Sequence, residues 1–170
     1  MKRVLVIGSP GAGKSILATK LAALTGLPLI HLDQQYWQAG WVEPDEATWQ
    51  LRLDEIIAGD HWIIDGNYGG SLALRLTRAD TVIYLDYPSW RCVARLLGRI
   101  ARNRGQVRPD TAPDCPEQFD LGFIGYTASF RWHRRHRTEA LLEDFAGRLI
   151  RLRHPAEAER FFANQAASAS

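Results

Sequence analysis

Residues 8–15 read Gly8-Ser9-Pro10-Gly11-Ala12-Gly13-Lys14-Ser15, directly after the apolar run Val4-Leu5-Val6-Ile7 and directly before a helical stretch. In this GxxxxGK[ST] pattern the glycines let the backbone curl until its N–H groups converge on phosphate oxygens. The positive end of the following helix adds to the attraction. Lys14 is placed to reach the β- and γ-phosphates of a nucleoside triphosphate, and the Ser15 hydroxyl to ligate Mg²⁺. The bland alternative is a glycine-rich turn that holds nothing; few such turns have both this strand before them and this helix after. The expected cradle for ATP with Mg²⁺ comprises Gly8, Ser9, Pro10, Gly11, Ala12, Gly13, Lys14, Ser15 and Ile16.

A second chemical feature is Trp62-Ile63-Ile64-Asp65-Gly66, an apolar run ending in a carboxylate. In an open α/β sheet the carboxyl ends of the strands carry the ligand, so Asp65 is the expected partner of Ser15 at the metal. Asp86 also ends an apolar run and competes for that role, and either aspartate could instead be a turn or helix cap. A third feature is charge. The formal net charge is +2, which gives no global reason for a nucleic-acid or membrane partner, yet the lysines are only Lys2, Lys14 and Lys20. The remaining cations are arginines, many in two blocks: Arg91, Arg95, Arg99, Arg102, Arg104 and Arg108, then Arg131, Arg134, Arg135 and Arg137. Arg91, Arg95, Arg99 and Arg102 fall at helical spacing on one face, where like charges are unfavourable unless an anion or carboxylates compensate them.

The elements that must position these residues follow from periodicity. Val4–Ile7, Leu29–Leu32, Trp62–Ile64, Val82–Leu85 and Leu149–Leu152 read as five strands, mostly continuously apolar as in a parallel sheet covered on both faces. Helices are expected over Lys14–Leu24, Asp45–Ala58, Ser89–Arg104, one long stretch Phe119–Phe145, and Pro155–Asn164. This alternation predicts an α/β three-layer P-loop NTPase fold around a five-stranded parallel sheet. Residues 1–164 form one domain on this reading, and 165–170 a disordered tail. Gln34–Pro44, with Tyr36, Trp37 and Trp41, reads as an aromatic loop over a pocket, and Gly105–Pro116, with its prolines, as a mobile surface loop. Cys92 and Cys115 are the only cysteines and lack a CxxC partner, so neither a zinc site nor a disulfide scaffold is expected. The amino-terminal apolar run is too short for a signal peptide and no run is long enough for a membrane span, which points to the cytoplasm.

The sequence resembles the adenylate-kinase-like branch of P-loop kinases, and within it the bacterial group labelled DNA topology modulation proteins (FlaR-like). The resemblance runs from Lys2 to about Phe162. It rests on the phosphate loop, Leu29-Ile30-His31-Leu32-Asp33, Trp62-Ile63-Ile64-Asp65-Gly66-Asn67-Tyr68, and Leu85-Asp86-Tyr87-Pro88 with its arginine helix. It implies a nucleoside-monophosphate-kinase-like fold with a short lid at about 105–118. It also implies contact of Arg95 and Arg99 with the donor nucleotide and its transferring phosphate. A further helix after the lid contributes arginines, with Arg131, Arg134 and Arg135 as candidates. Asp33 would hold or deprotonate the acceptor hydroxyl or assist the magnesium, and Arg52 is a candidate for an acidic group on the acceptor. His31 is left as a core residue. Typical adenylate kinases carry Asp-Gly-Phe-Pro-Arg where this chain has Asp65-Gly66-Asn67-Tyr68-Gly69, so the arginine that grips the acceptor phosphate is missing there, and Arg75 is the nearby replacement candidate. Ile16 replaces a threonine that in many phosphate loops contacts the α-phosphate.

Two functions follow. The first is an ATP- and magnesium-dependent phosphotransferase acting on a small-molecule acceptor, with Lys14, Asp33, Arg95 and Arg99 catalytic and Ser15 and Asp65 at the metal. The second is a nucleotide-binding regulatory protein associated with DNA topology or nucleic acid, which would need an exposed basic surface rather than arginines turned into a cleft.

Overall fold

Strand β1 (Arg3–Gly8) shows why the sheet is covered twice. Val4 and Val6 enter one apolar layer with Leu17, Leu21, Ile63 and Ile83, while Leu5 and Ile7 enter the opposite layer with Leu53, Ile57, Ile64 and Val82. Each fully buried aliphatic side chain contributes about 1.5–3 kcal/mol relative to exposure, so β1 alone anchors both layers. The computed structural model describes the backbone of residues 1–169 and the side chains of 1–165. Of the expected disordered tail over 165–170, all but Gln165, which stands in the last helix, lies outside these fully described residues.

The remaining strands are β2 (Leu29–His31), β3 (Trp62–Asp65), β4 (Thr81–Leu85) and β5 (Arg148–Leu152), in the order β2-β3-β1-β4-β5 with every pairing parallel. Helix α1 (Lys14–Thr25) and α8 (Pro155–Ala169) cover the Val4 face. Helices α3 (Glu46–Ala58), α4 (Leu72–Arg78) and α7 (Arg135–Glu143) cover the Leu5 face. Helix α5 (Ser89–Asn103) packs on α6 (Leu121–His133) beside the carboxyl edge. The predicted five-stranded parallel sheet and three-layer arrangement are therefore present.

Local boundaries differ in three places. The second strand stops at His31, and Leu32 opens a short helix, α2 (Leu32–Tyr36), because Leu32 turns back into the core under Gly66. Asp33 thus lies on a helix and not on the face of a strand shared with His31. The single helix expected over Phe119–Phe145 is two, broken at Arg134, whose backbone N–H still closes α6 on Phe130 O while Arg135 starts α7. Helix α4, absent from the sequence reading, buries Leu72 and Arg75.

The first strand is tied to the fourth at their starts. Asp80 accepts hydrogen bonds from the backbone N–H of Lys2 (2.9 Å) and Arg3 (2.8 Å) and from the Thr81 hydroxyl (2.7 Å). Burial works against its charge, but the donors from Thr81, Arg3 and Lys2 outweigh it and hold the carboxyl below its ordinary value. A carboxylate held low in the fold contributes stability above its unfolded pKa and loses it as pH falls through the folded value. Asp80→Asn is therefore expected to cost about 1–2 kcal/mol at pH 7 and progressively less as the pH falls through the lowered Asp80 pKa, which thermal melts from neutral to acid pH will check.

Candidate active site

The phosphate loop leaves the central strand between β3 and β4, the position where the chain crosses from one side of the sheet to the other. Gly8, Gly11 and Gly13 have φ of 145°, 75° and 94°, a region that side chains disfavour. A Cβ on Gly8 would meet Leu85 O at 2.6 Å, and one on Gly11 would collide with the Cys92 carbonyl. Gly13 caps α1 without a side-chain acceptor, and no acidic residue stands in the first turn. The free N–H groups and positive end of α1 therefore face the loop's hollow, the chemistry an anionic phosphate requires. Lys14 donates from Nζ to Ser9 O at 3.2 Å, folded back over the loop. Burial lowers its pKa, Asp33 and Asp65 pull it back up, and Arg99 pushes it down, so these three side chains share its surroundings. Ile16 points out, 63% exposed, and offers the cradle only its backbone.

Each residue of Asp65-Gly66-Asn67-Tyr68 has a separate task at this edge. The parallel register sets His31 beside Asp65, and His31 Nδ1 lies 2.6 Å from Asp65 Oδ1. Burial alone would lower the His31 pKa; the bond to Asp65 and its charge outweigh this and raise it. Gly66 has φ 135°, and a Cβ there would stand 2.8 Å from Leu32 Cβ. Asn67 accepts the Gly8 N–H at 3.0 Å, pinning the start of the phosphate loop to the end of β3. Tyr68 donates its hydroxyl to Asp33 Oδ1 at 2.8 Å. Burial raises the Asp33 pKa, against the opposing effects of Tyr68 and Lys14. Asp33 and Asp65 thus both act on the Lys14 ammonium. His31, left as a core residue, is instead the partner of Asp65.

The segment Gly105–Pro116 is a surface loop with several exposed residues, but it is fastened down at its middle. Ala112 and Cys115 are buried within it, and it is fastened to the aromatic segment by Trp41 Nε1 to Pro116 O (3.1 Å), Gly40 N to Asp114 O (3.0 Å) and Gln34 to the Pro109 carbonyl. Apolar content was too sparse to signal this; the contacts are mostly polar. The segment also carries Asp110, paired with Arg108 at 2.9 Å. Burial pushes the Asp110 pKa up, but Arg108 and Ser15 overcome it and hold the carboxyl low. Just beyond, buried Glu117 lies 3.1 Å from Arg99 Nε and 2.7 Å from Arg108 Nε. Carboxylate pairing, one of the two compensations open to the α5 arginines, therefore operates at Arg99. Arg95 donates to Ala12 O within the phosphate loop at 3.0 Å. Arg91 and Arg102 line a groove of about 370 Å³ with Trp90, Ala94, Arg95 and Pro155, and Arg91 stands over the Trp90 ring at 5.0 Å.

Several candidates take other roles. Asp86 is buried in a fork with Arg135 (3.1 and 3.0 Å) and touches Arg151, which also holds Glu139. This carboxylate is committed to joining β4, β5 and α7, which removes it as the competitor of Asp65. Arg75 does not reach the acceptor side as a free cation: it is 0% exposed and donates to the carbonyls of Gly66 (3.1 Å), Asn67 and Tyr68 (3.1 Å). Arg52 lies on the exterior, held by Gln35 Oε1 (2.7 Å) and Glu55. Of the three later arginines, Arg135 is taken by Asp86 and Arg134 stacks on Tyr126 at 5.9 Å. Arg131 lines a water-sized hollow with Ser9.

Among the described residues no trio of His, Cys, Asp and Glu stands ready for a metal ion. Among the described residues no helix is long and apolar enough to cross a membrane.

No protein-family model matches the chain. Its curated relatives include the adenylate kinase of Mycolicibacterium smegmatis, 30% identical over 149 residues that cover 65% of this chain and 82% of the relative. The adenylate kinase of Mycobacteroides abscessus is 32% identical over 149 residues with the same shares. Among solved structures, the shikimate kinase of Bacteroides thetaiotaomicron superposes with a TM-score of 0.57 at 15% identity, covering 99% of this chain and 98% of that one, a likeness of fold. With a glycine cradle, its lysine and serine, and relatives matched over most of their length, the chain belongs to the adenylate kinase family of P-loop kinases.

Proposed function

We propose that this kinase transfers the γ-phosphoryl group of MgATP to a hydroxyl on a small acceptor held beside Asp33. The observation that carries the reading is the convergence of Asp33, Asp65 and Lys14 at the mouth of a phosphate loop whose α1 N–H groups are free. The backbone of Gly11–Ser15 would bind the phosphates, and Lys14 would swing from Ser9 O onto the β- and γ-oxygens. Ser15 and Asp65 would hold Mg²⁺, which supplies charge neutralisation when bound. His31 keeps Asp65 oriented. The groove beside Trp90 and Arg91 supports placement of the donor base, through stacking and cation–π contact.

Asp33 orients the acceptor hydroxyl and takes its proton as the oxygen bonds to the γ-phosphorus. The bond from that phosphorus to the bridging oxygen breaks, and ADP leaves with the electron pair. Residues 105–118 act as the lid, excluding water so that transfer outruns hydrolysis. Nucleotide phosphates would displace Glu117 from Arg99 and Arg108, adding to Arg95 at the transferring group. Within the family we place the chain nearest the FlaR-like group on its Asp65-Gly66-Asn67-Tyr68 segment, working as a magnesium enzyme in the cytoplasm. The regulatory alternative, with nucleic acid as partner, is supported by none of the relatives described above.

Acceptor-dependent ADP release from MgATP tests this. Lys14→Ala is expected to lower transfer by about 10²-fold or more while the protein melts normally; full activity contradicts the assignment. Asp33→Asn is expected to leave ATP affinity within about threefold and to lower kcat by about 10²–10⁴-fold, read by calorimetry and turnover. An unchanged kcat would remove Asp33 from the chemistry.

A further inference from the structure

The acceptor side of this cleft is built from rings and carboxylates, and its nearby cations are already committed. Arg75, the nearest arginine behind the Asp65–Tyr68 turn, is wholly buried and donates to three consecutive carbonyls. Pulling it out would leave those carbonyls unsatisfied and unravel the turn that presents Tyr68 to Asp33. Arg108, above the site, is shared between Asp110 and Glu117. Arg52 sits on the outer surface of α3, more than half exposed, and holds Gln35 and Glu55. Arg78 closes the carboxyl end of α3 on Ile57 O and Ala58 O. Asp33, which accepts from Tyr68, and Asp65, held by His31, both act on the Lys14 ammonium, which is reserved for the donor.

An anionic acceptor brought here would meet the charges of Asp33 and Asp65, with Arg75, Arg52 and Arg78 held elsewhere and Arg108, once freed from Glu117, drawn to the donor phosphates. What the site does offer is a connected surface of rings. Trp41 meets Trp37 at 5.4 Å, Trp37 meets Tyr36 at 5.1 Å, and Tyr36 meets Tyr68 at 4.6 Å, the last with its hydroxyl on Asp33. Trp37, Tyr36 and Tyr68 are only partly buried. Ring faces next to a hydrogen-bonding carboxylate suit a molecule with one flat apolar side and hydroxyls at its edge. Resting on the kinase reading above, we infer that the acceptor is an uncharged hydroxyl compound with a flat face, of the nucleoside or pyranose kind, and not a nucleoside monophosphate or another anion.

Two measurements on the intact wild-type chain test this. In the first, calorimetry with Mg²⁺ compares ATP with a probe in which two adenosines are joined through five phosphates, so that its second half fills any monophosphate site. The probe is expected to bind less than about tenfold tighter than ATP; a gain above that, about 1.4 kcal/mol, overturns the inference. Failure of ATP itself to bind would instead sink the kinase reading. In the second, ADP release is compared for adenosine against AMP and for glucose against glucose 6-phosphate. Whichever pair is turned over, the uncharged member is expected to be the better acceptor, and the pair identifies nucleoside or sugar. Preference for the phosphorylated member overturns the inference, and if neither pair is turned over the calorimetric ratio decides.

Discussion

Gly8 has to pass between two backbones. Its φ is 145°, a side chain there would meet Leu85 O on β4, and its N–H is held by Asn67 at the end of β3. This constraint fixes where the central strand stops and the cradle begins. The amino end of α1, Lys14 and Ser15 then have little freedom about where they stand. The same Asn67 belongs to the turn that holds Asp65 against His31 and Tyr68 against Asp33. A close approach of backbones at one glycine is thereby converted into the relative placement of donor and acceptor groups, which is what phosphoryl transfer asks of a protein.

Charge in the cleft is arranged in opposed pairs. Asp86 is answered by Arg135 and Arg151, Glu117 by Arg99 and Arg108, and Asp110 by Arg108. Pairs of this kind, partly buried, cost desolvation and repay it through geometry, so they serve to orient more than to stabilise. The first network is structural and joins β4, β5 and α7. The second and third join α5 and residues 105–118, where a triphosphate bound as proposed would compete with the carboxylates for the same guanidinium groups.

The strands were legible because continuous apolar runs such as Val4–Ile7 and Val82–Leu85 admit few other readings in an α/β chain. The glycine cradle was legible because its residue types are dictated by φ and by clearance. Asp33 and Asp65 could be picked out because each ends an apolar run. The His31–Asp65 pair depends on the register between β2 and β3, which no local pattern reveals. Helix α4 follows two glycines and buries an arginine, and both features disguise it. The break at Arg134 lies in a stretch whose propensities continue unbroken, and only the turn toward Asp86 accounts for it. The fastening of residues 105–118 rests on backbone carbonyls accepting from Gln34 and Trp41, contacts that composition does not encode.

The account stands on where the triphosphate sits. A crystal structure of the full chain with Mg²⁺ and a non-hydrolysable ATP analogue tests this most directly. The β-phosphate should lie against the backbone N–H groups of Gly11–Ser15, with Lys14 released from Ser9 O and the Ser15 hydroxyl on the metal. An analogue bound anywhere else, with Lys14 still on Ser9, would contradict it.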